Sequence, residues 1–290
     1  MDVESLKSFI VLAESRSVSQ AARKLFIAQS ALSNRLKALE KECKTTLIER
    51  DYHNFRLTQS GMKLYEKAQK IVELAESALA EVRTADNGLS GSLNIAATPS
   101  LATGILRDFV KRFNDKYPFV TVRVFEGATP SVLANLDDGL CDLALVRTPY
   151  TTGESYVSKT LGSDGMVILG AEPLPETLTL NDLFSYKLVL THRYTALLSR
   201  IAESRGRSLN APVQCEEIAT CIAMTETGVG VTMIPQSTYL NHAEHGMKLF
   251  KADLIDHDCD TSCELVYLMN KTLSAAAKNF EETVFSDTEC

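Results

Sequence analysis

The spacing of apolar positions changes character several times along the chain, and each change marks an element. Val18, Ala21, Ala22 and Leu25 recur at helical intervals. Ser17 and Gln20 fit a Ser-x-x-Gln capping box, which satisfies free N–H groups at a helix start. After a break at Phe26-Ile27-Ala28, a second helix is expected from Gln29. Its Leu32, Leu36 and Leu39 fall in one narrow stripe, while Ser30, Ser33, Asn34, Lys37 and Lys41 cluster on the opposite side. Leu47-Ile48-Glu49-Arg50 and Phe55-Arg56-Leu57 flank a polar tip at Asp51 to Asn54 and read as a hairpin. From Thr58 the pattern lengthens. Leu64, Ala68, Ile71, Ala75, Ala78 and Val82 form a seam with a period of about 3.5, the repeat by which helices pair with one another. Asn87-Gly88 and Ser90-Gly91 end that helix and mark a domain boundary.

Beyond Gly91 strand and helix patterns alternate. Ser92 to Ala97 reads as a strand, Leu101 to Asn114 as a helix, and Val120 to Phe125 as a second strand. Thr129 to Asp138 is helical and Asp142 to Val146 is a third strand. Val167 to Gly170, Lys187 to Leu190, Val213 to Cys215 and Gly230 to Ile234 repeat the pattern. Alternation of this kind implies an α/β body, with parallel sheets covered by helices.

Charge separates the two parts. Residues 1–60 hold 10 Lys+Arg against 7 Asp+Glu, whereas the rest holds 20 against 30. A basic module on an acidic body fits a local DNA footprint. The polar side of the second helix suits a major groove, since short hydroxyl and amide groups approach base edges while lysines hold phosphates. Arg50 and Arg56 would flank the tip of a wing, placed for a phosphate or a narrow minor groove. The regular seam that follows predicts pairing with a second copy, and hence a roughly two-fold symmetric target.

The segments SVSQAARKL, AQSALSNRLKALE, LIER and RLTQSG resemble the winged helix-turn-helix of the LysR-type transcriptional regulators. YPFVTVRVFEG, DGLCDLALV, TETGVGVTMIP and ELVYLMNKTLSAAAKNF extend the resemblance over nearly the whole chain. It implies an α/β protein with an N-terminal winged helix-turn-helix over 1–58 and a long linker and dimerisation helix over 59–88. The effector domain would be two Rossmann-like subdomains resembling a periplasmic binding protein, 91–162 plus 268–290 and 163–267. It also implies that Gln29, Ser33 and Lys37 face DNA, with Arg50 and Arg56 in the wing. The family usually has Ser then Gln-Pro at the start of the reading helix; here Ala28 and Ser30 stand at the Ser and Pro positions. Asn34 occupies a position often basic in the family.

In open α/β sheets ligands lie beyond the carboxyl ends of strands. Thr98, Ser100 and Thr129 follow the first two strands, and Thr191, His192 and Thr220 occupy comparable turns later. The resemblance brings them to one cleft. Arg147 and Arg193 would neutralise an acidic effector, a small carboxylate. The expected partners are double-stranded promoter DNA, that effector, and a second copy through the linker helix; the family resemblance extends this to a tetramer.

No cofactor or metal is expected. The seven cysteines form no Cys-x-x-Cys pair, and His257, Cys259 and Cys263 make only a weak metal or redox pattern. No apolar run reaches the roughly 18 residues of a membrane span, and MDVESLKSF lacks the basic start and apolar run of a signal peptide. That weighs against a transported-ligand carrier with a helical appendage and favours the cytoplasm. An enzyme is the third reading, but no Gly-x-Ser-x-Gly, phosphate loop or His-Glu-x-x-His occurs, and TGVGV lacks the third glycine of a nucleotide fingerprint.

Overall fold

The computed structural model describes residues 1–15, 17–51, 54–83, 89–150, 155–244 and 246–286. The chain divides into two units, Met1–Ala85 and Asp86–Cys290. The tip residues Tyr52 and His53, the helix end at Asn87-Gly88, His245 and Cys290 lie outside the described residues.

The first unit holds α1 (Val3–Ser15), α2 (Val18–Lys24), α3 (Gln29–Cys43), a hairpin of β1 (Ile48–Asp51) and β2 (Asn54–Leu57), and α4 (Gln59–Arg83). Its core is Leu6, Phe9 and Leu12 from α1, Ala21 and Ala22 from α2, Leu32, Leu36 and Leu39 from α3, and Leu47, Ile48 and Ala68. The Ser17 side chain accepts from the Gln20 N–H at 3.5 Å, one half of the expected capping box. Ala28 leaves α3 without a side-chain cap.

Two residues fix the wing. The Glu40 carboxylate on α3 accepts from the Leu47 and Ile48 N–H groups at 2.9 and 3.3 Å. Thr58 donates its hydroxyl to the Thr46 carbonyl at 2.8 Å and accepts from the Gly61 N–H at 2.9 Å, so it joins hairpin to helix and caps α4. Gly61 is required by closeness: a Cβ there would stand 2.1 Å from the Leu47 carbonyl oxygen.

The predicted seam along α4 divides. Ala68 is fully buried and Leu64 packs against the unit's own core, because α1 lies along the first half of the helix. Farther on, Ile71, Leu74, Ala78 and Leu79 are exposed. The side chain of Val82 lies outside the described residues.

The second unit begins with β3 (Ser90–Ala97), then α5 (Pro99–Leu101), a π turn (Ala102–Leu106) and α6 (Arg107–Lys116). Next come β4 (Phe119–Glu126), α7 (Thr129–Asp137), β5 (Leu143–Arg147) and β6 (Tyr156–Asp164). The helix expected over 101–114 is therefore interrupted, with Gly104 at non-helical φ −92° and ψ −114°. There follow β7 (Met166–Gly170), β8 (Thr177–Leu178), α8 (Leu180–Leu183), β9 (Val189–Thr191), α9 (His192–Ser204) and β10 (Val213–Cys215). The chain continues with α10 (Ile218–Glu226), β11 (Thr232–Pro235), α11 (Gln236–Glu244), β12 (Phe250–Leu254), β13 (Thr261–Leu268) and α12 (Ala275–Phe285).

The first sheet has the order β4-β3-β5-β13-β6, and the second β11-β7-β12-β8, with β9 and β10 as a parallel pair joined to β11 by a bridge at Leu188 and Val231. β3 is parallel to β4 and β5, as the alternation predicts. β13, however, is antiparallel to both β5 and β6, and β7 to both β11 and β12, so both sheets are mixed. The strand Thr261–Leu268 also moves a boundary. It pairs along its length with β6, from Thr261↔Asp164 to Leu268↔Tyr156, and therefore belongs to the first subdomain. The crossings lie at Gly165 and Asp260 instead of near 162 and 267. Cys259 and Cys263 then fall in different cores, one on each side of the crossing.

Gly61→Ala should destabilise the first unit by about 1–3 kcal/mol, the range for a forced backbone shift in a packed site. Urea unfolding followed by circular dichroism measures this; unchanged stability would contradict the Gly61–Leu47 contact.

Candidate nucleic-acid interface and ligand cleft

On α3 the buried stripe Leu32, Leu36 and Leu39 turns the remaining positions outward. Gln29, Ser30, Asn34 and Lys37 are exposed and Ser33 is half-buried. They stand on the helix side opposite the core, as the sequence predicts. Arg35 has a different task. Its Nη1 donates to the Ser8 hydroxyl at 2.9 Å and pairs with Glu4 at 3.1 Å, tying α3 to α1. In the wing, Arg56 faces Glu49 across the hairpin and pairs with it at 2.7 Å. That pair is exposed and so weakly held; it orients Arg56 more than it occupies it. Arg50 lies in β1, opposite Phe55; its side chain is outside the described residues.

In the second unit the ends of β3, β4, β5 and β9 surround a cleft of about 530 Å³. Six of the seven residues predicted for it line it: Thr98, Ser100, Thr129, Arg147, Thr191 and His192. Thr220 does not; it is exposed on α10, and Glu217 occupies the start of that helix instead. The Thr98 hydroxyl is buried without a partner. Thr191 caps α9, accepting from the Tyr194 N–H at 3.5 Å. His192 rests against Gln214 at 3.3 Å and Glu216 at 3.4 Å.

Both arginines line the cleft and also bond within the protein. Arg147, 3% exposed, pairs with Asp164 at 2.6 Å and donates to Thr261 at 3.3 Å and Ser237 at 2.8 Å. Ser237 returns to Asp164 through its N–H at 3.0 Å and its hydroxyl. Both crossings thus converge on one ion pair. Arg193 donates to the Arg147 carbonyl at 3.1 Å and to the Thr148 carbonyl, and burial pushes its pKa down. Glu216 and Glu217 also line the cleft. Burial, helped by Glu216 and Glu126, raises the Glu217 carboxyl above its usual range. Sequence reasoning missed Glu216 and Glu217, although their place directly after the strand Val213 to Cys215 was available as a signal. Pro99, Pro130, Leu133, Pro149, Tyr150 and Ile218 add an apolar wall. Burial and Glu264 push the Tyr150 hydroxyl up to about 12, so it is a neutral donor at pH 7.

Among the described residues no group of three or more His, Cys, Asp or Glu is placed to hold a metal ion. His257 pairs with Asp260 at 2.8 Å, and burial pushes the Cys259 thiol up to about 12. No described helix is long and apolar enough to cross a membrane.

Residues 3–62 match the family model described as "Bacterial regulatory helix-turn-helix protein, lysR family", and residues 86–287 match "LysR substrate binding domain". Among curated relatives, the chain is 30% identical over 243 residues to a probable hydrogen peroxide-inducible genes activator of Mycobacterium avium, covering 81% of this chain and 78% of the relative. It is 28% identical over 247 residues to the HTH-type transcriptional regulator BudR of Raoultella terrigena, covering 82% and 85%. Among solved structures, CbnR, a LysR family transcriptional regulator, superimposes over 100% of both chains with a TM-score of 0.82 at 19% identity, a likeness of fold.

The Arg147–Asp164 pair makes a sharp prediction. Arg147→Met or Asp164→Asn alone should cost about 3–5 kcal/mol, since each strands a buried partner. Arg147→Met combined with Asp164→Asn should cost much less than the sum of the two single losses. Urea denaturation of the full chain checks this, and additive single and double losses would refute the coupling.

Proposed function

The chain belongs to the LysR family of DNA-binding transcriptional regulators, and from that premise we propose how its own residues divide the work. Gln29, Ser30, Ser33 and Asn34 on α3 read base edges in the major groove, and Lys37 holds a phosphate. Arg50 and Arg56 bring the wing to the backbone. The observation that carries this reading is the exposed polar side of α3, set opposite a continuous leucine stripe while its one arginine is tied inward to α1. Because lysine contacts release counterions, Lys37→Ala should lower the slope of log affinity against log salt by about 1. Asn34→Ala should instead relax preference at one base, at a cost of about 1–3 kcal/mol. Fluorescence anisotropy on a duplex selected by the wild-type protein from a random library tests both; unaltered binding removes these residues from the interface.

The protein acts in the cytoplasm as a homodimer, with Ile71, Leu74, Ala78 and Leu79 of α4 meeting the same residues of a second copy, and dimers pair into a tetramer. The support is that this stretch of helix leaves four apolar positions in water, arranged at the spacing helices use to pair.

The effector occupies the cleft ringed by Thr98, Ser100, Thr129, Thr191 and His192. A ligand acts by binding one arrangement of the oligomer more tightly than another. With Arg147 paired to Asp164 and both Arg193 and Glu216–Glu217 among its lining residues, the cleft suits a small zwitterion. Its carboxylate would meet Thr98, Ser100 and the N-terminus of α7, and its ammonium group would meet Glu217. Thermal-shift measurements on the full chain should therefore show stabilisation by amino acids exceeding that by the matching 2-oxo acids. Glu217→Gln should remove the difference. Stronger stabilisation by the 2-oxo acids would restore a simple carboxylate as the effector.

A further inference from the structure

Phe26 departs furthest from local physical expectation in the N-terminal unit. It is 95% exposed, and its φ is +54°, in the left-handed region that side chains with a Cβ rarely adopt. The cause is the way α2 ends. The Ile27 N–H donates to the Ala22 carbonyl at 3.1 Å and the Phe26 N–H to the Arg23 carbonyl at 3.1 Å. In such a helix end the residue at the position of Phe26 takes the left-handed conformation and is usually glycine. The next residue, Ile27, turns inward and packs against the core. Phe26 is left with a strained backbone and an aromatic ring in water, and nothing within the unit offsets either.

Position and chemistry identify what covers the ring. Phe26 lies three residues ahead of Gln29, the first residue of α3. The N-terminal end of a reading helix is the end that meets base edges. The exposed neighbours are Arg23 and Lys24 on one side and Gln29 and Ser30 on the other. A lone exposed ring with cationic and amide-bearing neighbours along the chain fits a polyanion that also presents apolar groups, as duplex DNA does with its deoxyribose edges and thymine methyls. A protein surface would be expected to meet a broader apolar patch. We propose that Phe26 is a DNA-contact residue, its ring packing on a thymine methyl or the deoxyribose beside it where α3 enters the groove. This rests on α3 being the groove helix, so that reading is tested alongside.

The experiment uses the full chain, a duplex selected by the wild-type protein from a random library, and anisotropy titrations at several salt concentrations. Phe26→Gly should weaken binding about 10-fold, the scale of one exposed aromatic contact. The salt slope should stay unchanged, because no counterion is released. The same variant should unfold at an equal or higher temperature than wild type, since glycine relieves the strain. Phe26→Leu should retain part of the affinity. Replacing the half-site thymines by deoxyuridine distinguishes the two contacts. If the ring meets a methyl, wild type loses affinity and Phe26→Gly loses no more; if it meets deoxyribose, both proteins respond alike. Binding by Phe26→Gly within twofold of wild type overturns the proposal. So does a loss of affinity accompanied by a lower unfolding temperature or an altered oligomeric mass, which would make the ring a protein contact. Lys37→Ala is measured in parallel. If it is silent while Phe26→Gly is not, the α3 reading fails on its own.

Discussion

The effector domain is organised around one buried ion pair. Two charges sharing a site sealed from water attract strongly, yet each is costly there without the other. Arg147 closes the last strand of the first βαβα run, and Asp164 ends the strand from which the chain leaves that subdomain. Thr261 begins the strand by which it returns, and Ser237 lies on the first turn of α11 in the other subdomain. The four residues come from separate segments and share one set of hydrogen bonds. Both crossings between subdomains are therefore tied to a compact polar junction.

The cleft lies against this junction. Arg147 is at once part of its wall and the centre of the ion pair, and Arg193 reaches across to the carbonyls of Arg147 and Thr148. A molecule entering beside Thr98 and Thr129 thus meets one arginine already paired with a carboxylate and another held by carbonyls. The N-terminal unit is held by the same economy of polar contacts. Glu40 seats the hairpin on the reading helix, Thr58 fastens the hairpin to α4, and Arg35 locks α3 to α1.

Much of this was legible in the chain. The leucine stripe of α3, the polar side opposite it and the hairpin all follow from local spacing, because each is decided by residues within a few positions of one another. Five cleft residues were named from their places after strands and Arg147 from its charge, and the family resemblance brought them to one cleft. What escaped was decided at long range. No spacing reveals that Arg35 meets Ser8, or that Arg147 meets Asp164 and Ser237. The strand Tyr156–Asp164 has few buried residues and so carries no apolar run, and its partner Thr261–Leu268 could be assigned to a sheet only by its pairing. The seam on α4 is shared: α1 packs against its first half, as no spacing could show, and Ile71 and Ala78 farther on stay exposed.

The return of the chain at Thr261 also orders events in time. The second subdomain is one continuous stretch, complete once Asp260 has been made. The first is not. Its strand β13 inserts between β5 and β6, and in the sheet β6 has no other neighbour. Until Thr261–Leu268 has been made, β5 presents an open edge and β6 lacks its neighbour in the sheet, and unpaired edges recruit other chains. The first sheet is thus completed by a strand made after the whole of the second subdomain, and loss of Thr261–Leu268 would split it.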